Sequence, residues 1–561
     1  MNVAEAVGRV VARLGVERAF GVVGSGNFHL ANGMAAGGVR FVAARHEGGA
    51  ATMADAFARM TGGLGVLTVH QGPGLTNAMT GIAEAAKSRT PLLVLAGEAR
   101  EPRSNFHIDQ AGLAAAVDAV PMRVGGAETA VEETIEAYRT AWYESRPVLL
   151  NLPLDVQRER APDGGSRQEF LDLIVDSARA AARSRHEGGP GRPEAVADLV
   201  RLLLRARRPV FVAGRGALHA RRELEDLADS RGALLATSAV AKGLFRGSPW
   251  DLDVCGGFAS PLAASLISTA DLVVAWGCSL TMWTTRHGTI FGPYARVVQV
   301  DRDPAALGAH VPLALGIVGD AAAVASAAAQ ALLDARLLGE EDQGPGYRSP
   351  ELAERIAREV RWRDVPYEDE SRDGRIDPRT LTIALDDLLP GERVVCPDSG
   401  NFMGYPAMFM DVPDERGFCF TQGFQSIGLG LSTAIGAALA RPDRLPVAAL
   451  GDGGALMGIS ELETVVRLGL PMVIVVYDDE GYGAEVHHFH GEPHDLVTFP
   501  PTDFAEIGRG YGCAAVTVTA PDHLKAVEDW VGGPRDRPLL VHAKVTRDHG
   551  SWWLEEAFKG H

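Results

Sequence analysis

The chain has 561 residues, a formal net charge of −18 and a pI near 5.4. Hydrophobic residues make up 46% and charged residues 22%, the composition of a folded globular protein long enough for three or four domains. The acidic balance argues against nucleic acid or an anionic membrane as the main partner.

The five cysteines are scattered without a CxxC pair, which weighs against a zinc site or disulfide framework and fits a cytoplasmic protein. The opening stretch, MNVAEAVGRVVARLGVERAF, reads as an amphipathic helix without a signal-peptide core, and no apolar run reaches membrane-span length. Next come the strand-like runs VRFVAA, LGVLTV, TPLLVLAG and RPVLLNLP, separated by Ala- and Leu-rich helical patterns. A polar stretch at about 157–193 reads as a linker, with FLDLIVDSARAAARS in its middle as a helix candidate. RPVFVAGRGA, DLVVAWGCS and RVVQVDRDP form a second unit, and a second linker covers about 336–376. RLPVAALGDGG, LPMVIVVYDD and RPLLVHAKV form a third. The alternation predicts an α/β protein of three doubly wound parallel-sheet domains, at 1–160, 190–335 and 370–550.

In the third unit a strand feeds Gly451, Asp452, Gly453 and Gly454, a turn that lets backbone N–H groups approach a phosphate. Alone, Gly-Asp-Gly reads equally well as a tight turn. The next strand ends in three acids, Asp478, Asp479 and Glu480, followed by Gly481. Neighbouring strand ends of a parallel sheet open onto one crevice, so Asp452 and the 478–481 tip can converge on one ion. A hard cation bridging carboxylates and a phosphate suits Mg²⁺.

GDG, a 24-residue interval, the polar pair 478–479 and then Gly481-Tyr482-Gly483 resemble the binding motif of thiamine-diphosphate-dependent enzymes. The resemblance covers nearly the whole chain, in the order pyrimidine-binding, central Rossmann-like and diphosphate-binding domain. It implies Asp452, Asp479 and the Gly481 carbonyl as Mg²⁺ ligands, with Tyr482 beside the cofactor. Asp478 and Asp479 stand where two asparagines are usual, which adds negative charge beside a diphosphate; Glu480 reads as a solvated loop acid. Ser399-Gly400-Asn401 matches the segment that approaches the diphosphate. The Gln425 carbonyl falls where the cofactor's 4′-amino group is bound, and Ile427 where an apolar side chain props its two rings. Glu47, after a strand and at the head of an Ala-rich helix, reads in isolation as a dipole-favoured carboxylate; the resemblance makes it the glutamate that activates the cofactor. Gly72-Pro73-Gly74 matches the turn lining the cofactor. In this family that glutamate serves cofactor held by another subunit, implying a homodimer or homotetramer.

The resemblance also implies the chemistry: attack on a 2-keto acid, loss of CO₂, and transfer to a second carbonyl or protonation. Ser25 and His70 fall where benzoylformate decarboxylase carries a serine and a histidine, while Thr284 stands roughly in place of that enzyme's second histidine. Glu485 falls where pyruvate decarboxylase has a catalytic glutamate, and His107 partly matches that enzyme's histidine pair. Gln110 and the GPG turn resemble acetohydroxyacid synthase, as do VDRDP and IVGDA. His487 and His488 follow the cofactor motif as candidates to cap the pocket. The expectation is therefore decarboxylation with ligation of the acyl unit to a second carbonyl. The alternatives are a decarboxylase releasing an aldehyde and a catalytically silent homologue, against which intact Glu47 and Asp452 speak. AGRGALHA (213–220) lacks the third glycine of GxGxxG, so FAD is possible but not favoured.

Overall fold

The computed structural model describes residues 1–162, 175–177, 188–338, 344 and 346–557. Three sheets carry the fold, and every pairing between their strands is parallel. The first holds β1 (Arg18–Gly21), β2 (Arg40–Ala43), β3 (Gly65–Val69), β4 (Leu92–Glu98), β5 (Val120–Arg123) and β6 (Pro147–Pro153), in the order β2-β1-β3-β4-β6-β5. The second holds β7 (Pro209–Ala213), β8 (Leu234–Thr237), β9 (Asp251–Val254), β10 (Leu272–Trp276), β11 (Arg296–Asp301) and β12 (Leu315–Val318), ordered β12-β11-β10-β7-β8-β9. The third is β13 (Arg393–Pro397), β14 (Leu445–Gly451), β15 (Val473–Asp478), β16 (Ala514–Val518) and β17 (Leu539–Lys544), ordered β13-β14-β15-β17-β16.

Inner strands such as β3, β4, β7 and β10 are buried at every residue, because helices cover both faces and leave no side for polar alternation. Those uninterrupted runs made them visible in the sequence. The amphipathic opening stretch is not one helix. It ends at Arg13, the chain reverses through Gly15 in the left-handed region (φ 89°), and Arg18–Gly21 becomes β1. The second polar segment is not a bare linker either, since Pro350–Glu359 is a helix anchored by buried Ile356. The helix candidate in the first linker lies outside the described residues except for 175–177, which are helical.

The first and third units share one core. Helix α1 (Glu47–Thr61) crosses α3 (Gly430–Ala440), while α2 (Pro73–Lys87) packs on the other side of α1. Small residues permit the close crossing: a Cβ at Gly436 would strike the Met53 carbonyl oxygen. Phe20, Met53, Leu75, Ile435, Val476 and Leu540 belong to one apolar cluster. Burying Met53 and Ile435, both fully enclosed, stabilises the crossing by roughly 1.5–3 kcal/mol each.

Candidate active site

In the third sheet Gly451 pairs with Tyr477, so the chain leaves β14 and β15 at neighbouring points. Asp452 opens α4 (Asp452–Gly458), and Asp479 follows β15 directly. The carboxyl groups of Asp452 and Asp479 face each other, and Asp479 also meets the side chain of Asn401. Burial first, then the charges of Asp479 and Asp478, pushes the Asp452 carboxyl above the ordinary carboxylate range. Burial and Asp478 likewise push Asp479 up. Gly483 leaves room for the Asp479 carboxylate, which a side chain there would strike. Two facing buried acids store repulsion that a divalent cation relieves, so the donor set fits Mg²⁺. Among the described residues no group of three His, Cys, Asp or Glu side chains is placed to hold a metal. Diphosphate oxygens and water would therefore complete a shell begun by two carboxylates and the Gly481 carbonyl.

The three consecutive acids have three destinations. Asp478 Oδ2 accepts from His542 Nε2 at 2.7 Å and its Oδ1 from the Glu480 amide at 3.1 Å. Asp479 faces Asp452. Glu480 is not a solvated loop acid: Arg375 lies 2.7 Å from one carboxylate oxygen and Arg547 2.8 Å from the other, and only 11% of its side chain is exposed.

Around this pair, Tyr482 lays its ring over Gly453, and both line a cleft of about 280 Å³ with Asp452 and Phe499. Ser399 and Gly400 lead into Asn401, which is buried and tied down from the C-terminal segment. Its Oδ1 accepts from the Ser551 amide (2.7 Å), and its carbonyl from Ser551 Oγ (2.7 Å) and Trp553 Nε1 (3.0 Å). Gln425 sits in the left-handed region (φ 62°) at the start of a short arch, Gln425-Ser426-Ile427. The arch ends at buried Asp398, whose carboxylate accepts from the amides of Gly428 (2.8 Å), Leu429 (3.2 Å) and Ser399 (2.9 Å). Burial pushes the Asp398 carboxyl up to about 6, against the pull of those amides. Sequence reasoning missed Asp398, although it directly precedes Ser399; it also missed Ser551 and Trp553, whose contacts are purely tertiary.

The first unit gathers a second cluster. Glu47 is the first residue of α1, capped by His46, whose Nδ1 accepts from the Gly48 amide. Its Oε2 accepts from Asn77 Nδ2 at 3.1 Å. Gly72 adopts φ 66° between β3 and α2, with Pro73 at the first helical position. A Cβ on Gly74 would lie 3.0 Å from the His70 Cβ and 3.5 Å from Glu47 Oε1, so the two side chains flank one glycine. His70 Nδ1 lies 2.8 Å from the Gln71 carbonyl, which can only accept, so that nitrogen carries the proton. Nε2 is then the acceptor for Ser25 Oγ, 3.3 Å away.

Gln110 has a different surrounding. Its Oε1 accepts from the Gly72 amide (3.0 Å), and its Nε2 donates to the Gly97 carbonyl (3.0 Å) and Asn151 Oδ1 (2.6 Å). It is 2% exposed, so its amide holds the turn in place. Glu485, His488 and His107 are exposed, and His107 Nδ1 is bound to the Ala99 carbonyl at 2.8 Å. His487 is buried; burial first, then His490, lowers its pKa to about 4. Thr284, Gln425 and Trp553 line a larger cleft of about 810 Å³, whose wall also holds Gly214, Arg215 and Gly216 from the second unit. No helix among the described residues is long and apolar enough to cross a membrane.

Three family models match the chain: the N-terminal TPP binding domain of thiamine pyrophosphate enzymes over residues 1–122, their central domain over 196–328 and their C-terminal TPP binding domain over 398–543. The chain is 31% identical to the probable 2-ketoarginine decarboxylase of Pseudomonas aeruginosa, covering 94% of this chain and 91% of that one. It is 29% identical to the sulfoacetaldehyde acetyltransferase of Alcaligenes xylosoxydans xylosoxydans, covering 94% and 89%. It is 28% identical to the probable acetolactate synthase large subunit of Methanocaldococcus jannaschii, again covering 94% and 89%. Among solved structures, the thiamine diphosphate-dependent 4-hydroxybenzoylformate decarboxylase of Rhodococcus jostii RHA1 shares the fold, with a TM-score of 0.77 at 21% identity over 98% of this chain and all of that one. With a matched domain falling on each of its three sheets, and a relative 31% identical over nearly its whole length, this chain belongs to the thiamine pyrophosphate enzymes.

Proposed function

We propose that the protein is a cytoplasmic, Mg²⁺-requiring 2-keto acid decarboxylase in which Ser25 and His70 handle the proton of the product. The observation that carries this reading is the Ser25 Oγ to His70 Nε2 contact of 3.3 Å beside Glu47. Thiamine diphosphate, when bound, supplies the nucleophilic carbon that attacks the keto group and the electron sink that permits loss of CO₂.

In this reading Asp452, Asp479 and the Gly481 carbonyl hold Mg²⁺, and Gly453, Gly454 and the Ser399–Asn401 turn receive the diphosphate. Gln425 and Ile427 orient the rings. Glu47 holds a proton at its carboxylate against the pyrimidine. Once its Nε2 also takes up a proton, His70 can pass that proton through Ser25 Oγ to the carbon that loses CO₂, the hydroxyl giving its own proton and receiving the one from Nε2. Gln110 positions the Gly72 turn. Glu47 of one subunit serves cofactor held by residues 370–550 of another in this reading, so a homodimer is the minimum working unit. This reading requires no flavin.

Ligation to a second carbonyl is the second reading, favoured by full-length similarity to the acetyltransferase and to the acetolactate synthase. It ranks below decarboxylation because Gln110, the residue most like acetohydroxyacid synthase, has its amide engaged inside the fold. A panel of 2-keto acids, with and without aldehydes, tests both. CO₂ with free aldehyde supports the first reading; a hydroxyketone supports the second; peroxide from a yellow protein overturns both.

A further inference from the structure

The arch Gln425-Ser426-Ile427 is bounded by two buried carboxylates. Asp398 fixes its far end. At its near end stands Glu84, a fully buried residue of α2 in the first unit. Glu84 Oε1 accepts from the Gly423 amide at 2.9 Å, and Oε2 from the Phe424 amide at 2.6 Å. We propose that Glu84 is a positioning residue for the cofactor rings: it holds the arch from the first unit in the shape that Gln425 and Ile427 need. This rests on the reading that those two residues engage the rings.

The argument is electrostatic as well as geometric. Arg59 donates to Asp55 through Nε (2.9 Å) and Nη2 (2.6 Å) and to Glu84 through Nη2 (2.7 Å). Two buried carboxylates thus share one guanidinium. The second negative charge is met by dipoles: Ser88 Oγ at 2.9 Å and the two amides of the loop. A loop that moved away would leave a buried, undercompensated anion, an expensive arrangement. Arg59 also donates to the Phe420 carbonyl at 2.7 Å, so the same ion cluster holds the segment from both backbone polarities.

Consecutive amides on one carboxylate fix the orientation of the peptide planes as well as their distance. The next residue, Gln425, is a non-glycine at φ 62°, a conformation that persists only where its surroundings impose it. Gly423 is part of the device: a Cβ there would lie 2.5 Å from Ser88 Oγ and 3.2 Å from Glu84 Oε1.

The test compares wild type, Glu84→Gln, Glu84→Asp, Gly423→Ala and Ile427→Ala as full-length proteins. Calorimetry measures the Kd of thiamine diphosphate with Mg²⁺ and, separately, of inorganic pyrophosphate with Mg²⁺, which lacks the rings. Glu84→Gln and Gly423→Ala should weaken thiamine diphosphate by about tenfold or more while leaving pyrophosphate within about twofold, with Glu84→Asp in between. Parallel loss of both ligands with a lowered melting temperature would make Glu84 merely structural and overturn the proposal. Full thiamine diphosphate affinity in Glu84→Gln and Gly423→Ala, with weakened binding in Ile427→Ala, would overturn the Glu84 role alone. No change in Ile427→Ala would remove the arch reading itself, and the proposal with it.

Discussion

Asp478 and His542 are locked together at 2.7 Å on adjacent strands β15 and β17, while the next residue in the chain, Asp479, faces Asp452. One acid is tied to a residue of the neighbouring strand and the next to Asp452. Substitution should separate the roles. Asp478→Asn leaves one acceptor oxygen for two donors and should cost about 1–3 kcal/mol of stability with little change in Mg²⁺ affinity. Asp479→Asn should change Mg²⁺ affinity and its pH dependence with little loss of stability. Urea unfolding and metal titration of both variants check this; equal effects on Mg²⁺ affinity would refute the division.

Asp398 makes a pH prediction with a definite sign. Its folded pKa is raised from 3.8 to about 6, so between those values the folded state binds more protons than the unfolded state. Its contribution to stability therefore falls as pH rises from about 4 to about 6, by at most roughly 3 kcal/mol. Urea midpoints at pH 4.5 and 7 for wild type and Asp398→Asn isolate the effect. The wild type should lose stability relative to the variant across that interval, and a relative gain would reverse the sign.

Glu480 offers a test against the sequence expectation. A solvated loop acid replaced by Ala changes stability by about 0.5 kcal/mol or less. With Arg375 and Arg547 on its two oxygens, Glu480→Ala should instead cost about 1–3 kcal/mol, reduced from a fully buried pair because Arg547 is half exposed. Thermal unfolding decides between these values.

That contrast shows where sequence reading stops. The placement of Asp452, Asp479 and Glu47 was legible because each lies inside a local motif whose spacing fixes which strand end it follows. Strands β3, β4, β10 and β15 were legible because burial on both faces leaves unbroken apolar runs. Glu480, Asp398 and Glu84 were not. Their roles depend on Arg375, on the Gly428 and Leu429 amides and on Arg59, partners that only the tertiary fold brings near. Strand β1 was lost because Arg18–Gly21 directly follows a helix of similar apolar content, and only the Gly15 turn separates them. Gln110 was read as a candidate catalytic residue, and no local pattern revealed that its amide is engaged with Gly72, Gly97 and Asn151.

His70 and Ser25 make the kinetic prediction. Removing a general acid–base group lowers turnover by about 10²–10⁴-fold, and His70→Ala should fall in that range with the cofactor still bound. Ser25→Ala should lose less, since Nε2 remains. Steady-state kinetics on the best keto acid, with calorimetry confirming cofactor occupancy, check this. Undiminished kcat in His70→Ala would remove the pair from the reaction.

Titration calorimetry of the full-length protein with thiamine diphosphate, with and without Mg²⁺, bears most directly on the whole account. Saturable heat approaching one cofactor per chain is predicted when Mg²⁺ is present, sharply weakened without the metal or in Asp452→Ala. Absence of binding in the presence of Mg²⁺, or binding indifferent to both the metal and Asp452, would contradict it.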